Sequence, residues 1–399
     1  MSRKVYITGY GAISATGNTV SENYESLISK KSGVGKITVL DTVHKDDIPV
    51  CEIKLKDKDL AGNLKISAKE AFTRTSLIAL TAATEAVKSS GITDIHKFKT
   101  GIISATTVAG MVSSEKYYLD FLNTEYYNNF IKTHEAADHT EKIADFFGIK
   151  DFMTTVSTAC SSSANAIMTG ARLIKHGILE RCIVGGADAL SKFTLNGFNT
   201  LMILDREPCK PFDENRKGLN LGEAAAYLVL ESEEVVNKEH KKPLAELKGY
   251  ANANDAFHQT ASSPEGYGAN LAMTQALKSA NLKPEDIDYI NVHGTGTANN
   301  DLSEGNAMIN VFNGKVPPFS STKAYTGHTL AAAGSLEAVF SVLSLQKNTI
   351  FPNLRFHNPM KEFNLIPETE LKQNKNIKHV MSNSFGFGGN GTVLILSKT

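Results

Sequence analysis

The chain has 399 residues, which is long for one hydrophobic core and favours two domains or one large duplicated unit. Hydrophobic residues make up 41% of the chain and charged residues 21%, an ordinary balance for a globular protein. The 42 basic side chains equal the 42 acidic ones, so nothing in the net charge argues for a protein that binds nucleic acid or an anionic membrane surface, and local basic patches stay open.

The N-terminus runs from a basic start directly into a strand-like segment, without the apolar stretch and cleavage site of a signal peptide. Apolar runs are interrupted well before the roughly 20 residues that a membrane-spanning helix needs. The four cysteines, Cys51, Cys160, Cys182 and Cys209, show no C-x-x-C spacing, which argues against a zinc site and a disulfide framework. We therefore expect a cytoplasmic protein with free thiols, no bound metal and no membrane span.

Short segments rich in Val and Ile alternate with longer, helix-like segments along the chain. The predicted strands are residues 4–13, 99–107, 181–189, 225–230, 289–293 and 392–397. The predicted helices are residues 68–90, 161–176, 271–280, 301–311 and 331–346. This alternation predicts a layered α/β fold with buried sheets.

The same sequence pattern occurs twice: a reactive side chain comes directly before a predicted helix of small residues. Cys160 precedes Ser-Ser-Ser-Ala-Asn-Ala, and His328 precedes Thr-Leu-Ala-Ala-Ala-Gly. A duplicated α/β unit explains this most simply, with the charged stretch 231–242 before Pro243 as the join. We expect an N-terminal half over residues 1–240 and a C-terminal half over residues 241–399. The alternative is that both segments are only closely packed small-residue helices.

Cys160 is the first candidate for catalysis because it lies at a predicted helix start. The free N–H groups and the positive end of the helix dipole stabilise a thiolate there, so we expect its pKa to lie below about 8.5. A single cysteine is more often a small buried apolar residue, and Cys51 and Cys182 fit that description.

The motif Asn291-Val-His-Gly-Thr-Gly-Thr places His293 at the end of a predicted strand. Its glycines allow unusual backbone dihedrals, and Thr295 and Thr297 offer hydroxyl groups to a polar ligand arm. These features are typical of a tunnel lining, although a structural histidine is the alternative.

The motif Ser320-Ser-Thr-Lys-Ala-Tyr-Thr-Gly-His ends at another predicted helix start. The local field there disfavours imidazolium, so we expect His328 to be neutral and able to donate a hydrogen bond to a developing oxyanion. Lys323 could hold a buried carboxylate, tune the histidine, or be an ordinary solvated lysine.

A Gly-rich stretch, residues 382–391, comes directly before the last predicted strand. It lacks the Lys and Ser/Thr of a P-loop and opens no helix, which argues against phosphate binding. Phe385 and Phe387 alternate with glycines there, a pattern typical of a mobile gate whose backbone N–H groups could complete an oxyanion hole.

A cysteine with two histidines and no acidic partner differs from the papain-like arrangement of a hydrolase. Two neutral histidines fit a step that generates an enolate, because decarboxylating a malonyl-type thioester leaves negative charge on its carbonyl oxygen. One preorganised hydrogen-bond donor at such a site lowers the activation free energy by about 2.7–4 kcal/mol. A cysteine acyl hydrolase stays open as the rival enzyme.

At this point the motifs become recognisable together, because the whole chain resembles the elongating β-ketoacyl-acyl carrier protein synthases of the thiolase superfamily. The pieces keep the family's order and span nearly the full length. The matching segments are Val5-Tyr-Ile-Thr-Gly-Tyr-Gly-Ala-Ile-Ser, Ser157-Thr-Ala-Cys-Ser-Ser-Ser, Lys210-Pro-Phe-Asp-Glu-Asn-Arg-Lys-Gly-Leu, the His293 and His328 motifs, and residues 385–390.

The resemblance implies a thiolase fold, which is a duplicated five-layer α/β/α/β/α arrangement, and a homodimer or a dimer with a related ketosynthase-like subunit. It also implies an acyltransferase that condenses malonyl-carrier protein with an acyl group on Cys160, in fatty acid, polyene or polyketide-type elongation. The N–H groups of Cys160 and Phe387 would bind the oxyanion, and His293 and His328 would assist decarboxylation.

The resemblance further implies that Lys323 and Glu337 form a supporting ion pair and that Phe387 is a gate. No cofactor would be bound permanently, since acyl carrier protein delivers the phosphopantetheine arm. The residues assigned in this way to the arm and the substrate are Thr260, Thr295, Thr297, Phe385 and Glu337.

The Cys-His-His set favours elongating over initiating enzymes, and the retained Cys160 argues against a non-catalytic chain-length partner. Departures from the family pattern are Ala298, Ala224 and a terminal loop that reaches Asn390 without the customary Thr. The aromatic segment 117–127 matches a region bordering the acyl pocket and the dimer interface, which suggests an unusual, aryl or polyene, acyl chain. The candidates for carrier docking are Lys65, Lys69 and Arg206.

Overall fold

The structure is a computed structural model that describes residues 3–67 and 70–399. The strands within these residues are β1 (Val5–Ser14), β2 (Val34–Gly35), β3 (Val50–Cys51), β4 (Thr100–Ala105), β5 (Phe152–Val156), β6 (Arg181–Asp188), β7 (Ala224–Ser232), β8 (Ala245–Asn254), β9 (Tyr289–Asn291), β10 (Phe319–Ser320), β11 (His379–Phe385) and β12 (Asn390–Ser397). The helices are α1 (Val20–Ile28), α2 (Asp57–Leu64), α3 (Arg74–Ser89), α4 (Met111–Phe121), α5 (Asn128–Lys132), α6 (Asp138–Phe147), α7 (Ser162–Lys175), α8 (Lys192–Thr200), α9 (Glu233–Lys238), α10 (Tyr267–Ala280), α11 (Ala298–Val311), α12 (Lys323–Thr326) and α13 (Ala333–Lys347).

The main sheet contains the same five-stranded unit twice. Its strand order is β10-β9-β11-β12-β8-β1-β7-β6-β4-β5. If the sheet strands of each half are numbered along the chain, both halves read 3-2-4-5-1 from the outer edge inward. The directions repeat as well: β4 is parallel to its two neighbours, as β9 is, whereas β7 and β12 are antiparallel to theirs. The predicted duplication is confirmed.

The two halves meet where β1 pairs with β8 over two residue pairs, Tyr6 with Glu246 and Ile7 with Ala245. Helices α7 and α13 lie between the halves, and α13 is buried on every side from Ala333 to Leu345. Helix α3 covers the outer face of the first half, and α10 covers that of the second with α11 packed beside it. These contacts produce the five layers, α/β/α/β/α, that the family resemblance implies.

Small residues allow the two central helices to approach each other closely. A Cβ atom on Gly334 would lie only 2.8 Å from Cβ of Ala164, so a side chain at this position would push the helices apart. The N–H of Ser335 donates to Oγ of Ser163 at 2.8 Å. The two segments that look alike in the sequence are therefore packed against each other, with Cys160 and His328 at their starts.

The predicted join, residues 231–242, begins at the end of a core strand. Glu231 is buried in β7, where it binds Arg181 at 2.7 Å and Lys241 at 2.8 Å. Its two cationic partners compensate the buried charge. The boundary at residue 240 falls between α9 and β8 and stays a prediction.

Most predicted elements are present with ends shifted by a few residues. Helix α3 begins at Arg74, where the Thr73 side chain accepts a hydrogen bond from the N–H of Ser76, whereas the predicted start at Ala68 lies outside the described residues. The elements without a counterpart in the sequence prediction are strands β2, β3, β5, β8, β10 and β11 and helices α1, α2, α4–α6, α8, α9 and α12. Among the described residues, no helix is both long and apolar enough to cross a membrane.

Candidate active site

Cys160 lies in a sharp turn between β5 and α7. Ala159 has a left-handed backbone conformation with φ of 52°. Ser162 holds the turn, because its hydroxyl accepts from the N–H of Thr158 at 2.8 Å and donates to the carbonyl of Ala159 at 2.5 Å. Gly386 packs against this turn so closely that a Cβ atom there would lie 3.1 Å from the nitrogen of Cys160. The turn presents a thiol that is only 6% exposed.

The Cys160 thiol has a pKa of about 11, not the lowered value predicted from its place at a helix start. Burial makes the largest contribution and raises the pKa, and the carboxyl group of Asp188 adds to it. The Lys323 ammonium and the N–H groups of Phe387 and Cys160 lower the pKa, but they do not outweigh burial. The predicted direction is therefore wrong, and the thiol is neutral until substrate arrives.

His293 follows β9 and is held in place by a buried carboxylate. Glu304 accepts the N–H groups of His293 and Gly294, each at 2.8 Å, and the side chain of Asn383 at 3.0 Å. Nδ1 of His293 lies 3.1 Å from Nζ of Lys323. An ammonium can only donate, so Nδ1 accepts and the ring carries its proton on Nε2. Burial and then Lys323 hold the pKa of His293 well below its usual range.

His328 has the same tautomer for a different reason. Its Nδ1 accepts the N–H of Leu330 at 3.0 Å, which leaves the proton on Nε2. Its backbone is fixed as well, since its N–H donates to the carbonyl of Asn220 and its carbonyl accepts the N–H of Gly222. Burial lowers the pKa of His328 to about 3, so the ring is neutral as predicted.

The three reactive side chains converge. Sγ of Cys160 and one ring nitrogen each of His293 and His328 lie within 4.8 Å of one another. The two rings are nearly perpendicular, with centroids 5.4 Å apart. These three atoms are close enough together to bind one metal ion. However, both Nδ1 atoms already accept hydrogen bonds, both Nε2 atoms carry protons, and the Lys323 ammonium would repel a cation. The three side chains therefore fit a site that donates hydrogen bonds better than a metal site.

Lys323 and Glu337 form the predicted ion pair, and both side chains are buried. Burial raises the pKa of Glu337 to about 7, although Lys323 acts in the opposite direction. The second carboxylate oxygen of Glu337 has no hydrogen-bond partner among the described residues. The pair lies behind the histidines and does not line the cavity, so it acts on the site through His293.

One cavity of about 290 Å³ gathers most of the predicted site residues. Thr295 and Thr297 lie on its wall with their hydroxyl groups 2.9 Å apart, and Thr260 lies on the same wall. The predicted residues that line this cavity are Cys160, Thr260, His293, Thr295, Thr297, His328, Phe385 and Phe387.

A second cavity of about 170 Å³ meets the first at Cys160 and is lined mainly by apolar groups. Phe198 and Phe387 line both cavities and stack on each other with centroids 5.9 Å apart. Phe387 therefore stands between the two cavities, directly beside the thiol. Its N–H and that of Cys160 both point toward Sγ.

The aromatic segment 117–127 does not border either cavity in this chain. Helix α4 touches the second cavity only with Met111 at its start and then runs outward. Tyr117 and Tyr127 stack on each other at 4.6 Å, while Tyr118 and Tyr126 are exposed. The expectation that this segment borders the acyl pocket at a dimer interface concerns two subunits and stays a prediction.

The three candidates for carrier docking are scattered. Lys65 is exposed at the end of α2. Arg206 is half-exposed and binds Asp47 at 2.7 Å. Lys69 lies outside the described residues. None of the described candidates lines the cavity that leads to Cys160.

The sequence prediction missed two buried carboxylates that hold the site together. Besides Glu304, there is Asp188 at the end of β6, which accepts the N–H groups of Val108 and Ala331 and the hydroxyl of Thr106. Asp188 thereby joins a wall of the second cavity to the loop after His328. A lone acid closing the apolar run Cys-Ile-Val-Gly-Gly-Ala was the available signal.

Comparison with known proteins extends over the full chain. The N-terminal domain of β-ketoacyl synthases matches residues 2–235 and the C-terminal domain matches residues 244–357. The 3-oxoacyl-[acyl-carrier-protein] synthase 2 of Staphylococcus aureus (strain N315) is 33% identical, covering 100% of this chain and 99% of its own.

Solved structures give the same result. The ishigamide ketosynthase/chain length factor aligns with a TM-score of 0.93 and 28% identity over 100% of both chains. A type II polyketide synthase ketosynthase, solved with its acyl-carrier protein and bound to the hexaketide, aligns with a TM-score of 0.89 and 25% identity over 100% of both chains. By its domain matches, its full-length relatives and its fold, the chain belongs to the β-ketoacyl synthase family.

Proposed function

We propose that the chain is an elongating 3-oxoacyl-[acyl-carrier-protein] synthase, which joins an acyl group on Cys160 to two carbons from malonyl-carrier protein with loss of carbon dioxide. The observation that carries the proposal is the convergence of a thiol with two neutral histidines at one cavity. The name of the full-length Staphylococcus aureus relative supports the same reaction.

In the first half-reaction, the Cys160 sulfur attacks the carbonyl of an acyl-carrier thioester. The carbonyl oxygen becomes an oxyanion, and the N–H groups of Cys160 and Phe387 are placed to bind it. The carrier sulfur leaves and receives the thiol proton. Because the free thiol has a pKa of about 11, this proton leaves during attack rather than before it.

In the second half-reaction, malonyl-carrier protein occupies the first cavity. Its carbon–carboxylate bond breaks, carbon dioxide leaves, and the electron pair forms an enolate whose oxygen accepts the Nε2–H groups of His293 and His328. Each such donor is worth about 2.7–4 kcal/mol. The enolate carbon then attacks the acyl group, and the Cys160 thiolate is released and takes up a proton.

Lys323 positions His293 in this scheme. Its ammonium accounts for the Nε2–H tautomer and, after burial, for the low pKa of that ring. A protonated imidazolium would bind water or a carboxylate in the resting site, whereas a neutral ring keeps one donor free for the enolate. Glu337 in turn compensates the buried ammonium.

Thr260, Thr295 and Thr297 are proposed to bind the phosphopantetheine arm, because they provide hydroxyl groups along the wall that leads to the thiol. The partner we propose is an acyl carrier protein, as in the neighbour solved with one. The ishigamide neighbour is a ketosynthase with a chain length factor, which supports a homodimer or a dimer with a related subunit. The pathway, the absence of a permanent cofactor and the cytoplasmic location stay predictions.

Acylation of Cys160 provides the test. After incubation with an acyl-carrier thioester, intact-protein mass spectrometry should show one acyl group on the wild type and none on Cys160→Ala. A wild type that stays unmodified contradicts the mechanism.

A second variant separates the two half-reactions. His293→Ala should keep most of the acylation rate and lose malonyl decarboxylation, since His293 acts on the enolate. If acylation fails first, the assignment of His293 is wrong. The matched control is His379→Ala, a partly buried histidine outside both cavities, which should change neither rate.

A further inference from the structure

A single cation stands at the mouth of the first cavity. Cys160 and the histidines are buried at its inner end, whereas Lys217 and Thr260 are exposed and mark its outer end. Lys217 is the only formally charged side chain among the lining residues, since both histidines are neutral. Four segments form the rim: residues 202–203, 217–219, 260–262 and 297–300.

Lys217 has no bonded partner of its own. Within residues 3–67 and 70–399 it forms neither an ion pair nor a hydrogen bond. The charge of Lys217 acts on Glu207. The pKa of Glu207 is lowered mainly by Lys210, which donates a hydrogen bond to it at 3.0 Å, and to a smaller extent by Lys217. A cation left unpaired at the mouth of a neutral cavity is available to an incoming anion.

The neighbouring cation, Arg216, already binds groups within the protein. It donates to the carbonyls of Asp213 at 3.1 Å and Ala298 at 3.2 Å, and its Nε lies 3.9 Å from Asp301. Asn299, also on the rim, is bonded to the backbone of Ser262 in both directions. The rim is thus held by internal bonds, and Lys217 is its one free charge.

We propose that Lys217 binds the phosphate group of the phosphopantetheine arm. This inference rests on the proposed function, in which the arm's thiol end lies at Cys160. The phosphate is at the other end of the arm and carries a negative charge, so it comes to the mouth when the thioester reaches the bottom. The same phosphate occurs in coenzyme A and on carrier protein, and a lysine recognises it as a point charge in either source.

The test compares the rate of Cys160 acylation by acyl phosphopantetheine with that by acyl pantetheine, which lacks the phosphate. The wild type should prefer the phosphorylated thioester by about three- to tenfold at low salt, less at high salt. Lys217→Gln should bring the ratio to about one, and Lys217→Arg should keep the preference. Lys210→Gln, which removes a cation already bound by Glu207, is the matched control and should keep it too.

The same variants tested with acyl-coenzyme A and acyl-carrier protein separate the sources. If Lys217→Gln lowers the rate of Cys160 acylation equally with both thioesters, the result supports a phosphate subsite. If the rate falls with acyl-carrier protein alone, Lys217 contacts the carrier surface and the inference is overturned. A ratio unchanged in Lys217→Gln also overturns it. A wild type that no thioester acylates would overturn the proposed function, and this inference with it.

Discussion

Nζ of Lys323 lies 3.1 Å from Nδ1 of His293, and this contact decides what the histidine can do. Because the ammonium has no lone pair, the imidazole must accept at Nδ1 and keep its proton on Nε2. The N–H of Leu330 imposes the same tautomer on His328. Two donors fixed by different partners are therefore left facing the thiol.

The tautomers can be observed directly. Nitrogen-15 NMR of the free protein should show His293 and His328 as neutral Nε2–H tautomers from pH 5 to 8. The pKa of His328 is about 3 and that of His293 is well below its usual value, so neither ring gains a proton in this range. An Nδ1–H signal, or titration near pH 6.5 at either ring, would contradict the arrangement.

Removing the lysine should damage both stability and chemistry. Lys323→Met leaves Glu337 buried without its cation, which should cost up to about 3–5 kcal/mol in the free energy of unfolding. The pKa of Glu337 is already raised to about 7 and rises further without Lys323, so the variant should lose stability as pH rises from 5 to 8, when the carboxyl group would ionise. Urea unfolding at several pH values measures both effects.

The double variant Lys323→Met/Glu337→Gln is the control for that experiment. It removes both charges, so most of the lost stability and its pH dependence should return. Malonyl decarboxylation should stay about 10–100-fold below wild type, as is typical when a group that orients a functional histidine is removed. Full recovery of decarboxylation would show that the lysine is only structural.

The raised pKa of Cys160 predicts a particular pH dependence. Only the thiolate reacts with iodoacetamide, and a pKa of about 11 means that the thiolate fraction increases tenfold for each pH unit between 7 and 10. The alkylation rate of Cys160, followed by peptide mass spectrometry, should rise accordingly without a plateau. A plateau below pH 8 would show that the helix start outweighs burial after all.

The stacked rings of Phe198 and Phe387 should protect the acyl-enzyme from water. Phe387→Ala and Phe198→Ala each open the junction between the two cavities, so the acyl group on Cys160 should be hydrolysed severalfold faster in both variants. The half-life of acyl-Cys160 by mass spectrometry is the readout. Phe193→Ala, which alters only the second cavity, should leave it near the wild-type value, and unchanged half-lives in all three variants would exclude a gate.

The motifs around Cys160, His293 and His328 were weak one by one, and their order along the chain together with the family resemblance predicted the set that the structure brings together at one cavity. The layered fold was predictable, since apolar strands and small-residue helices alternate with recognisable periods. Local pattern and final structure agree at these positions.

The sequence could not reveal properties that depend on distant partners. Asp188 binds the N–H of Ala331 and Glu304 binds that of His293, and local sequence does not show which backbone groups these acids bind. The sign of the Cys160 pKa shift was missed for the same reason, because a helix start is visible in sequence whereas burial is produced by the whole fold.

The central claim is that Cys160 stores an acyl group for carbon–carbon bond formation. Its most direct test is to isolate the acyl-enzyme and add malonyl-carrier protein in a single turnover. The account predicts that the acyl group leaves Cys160 as 3-oxoacyl-carrier protein with one carbon dioxide released. Release of the acyl group as free acid, with malonyl-carrier protein intact, would contradict it and identify a hydrolase.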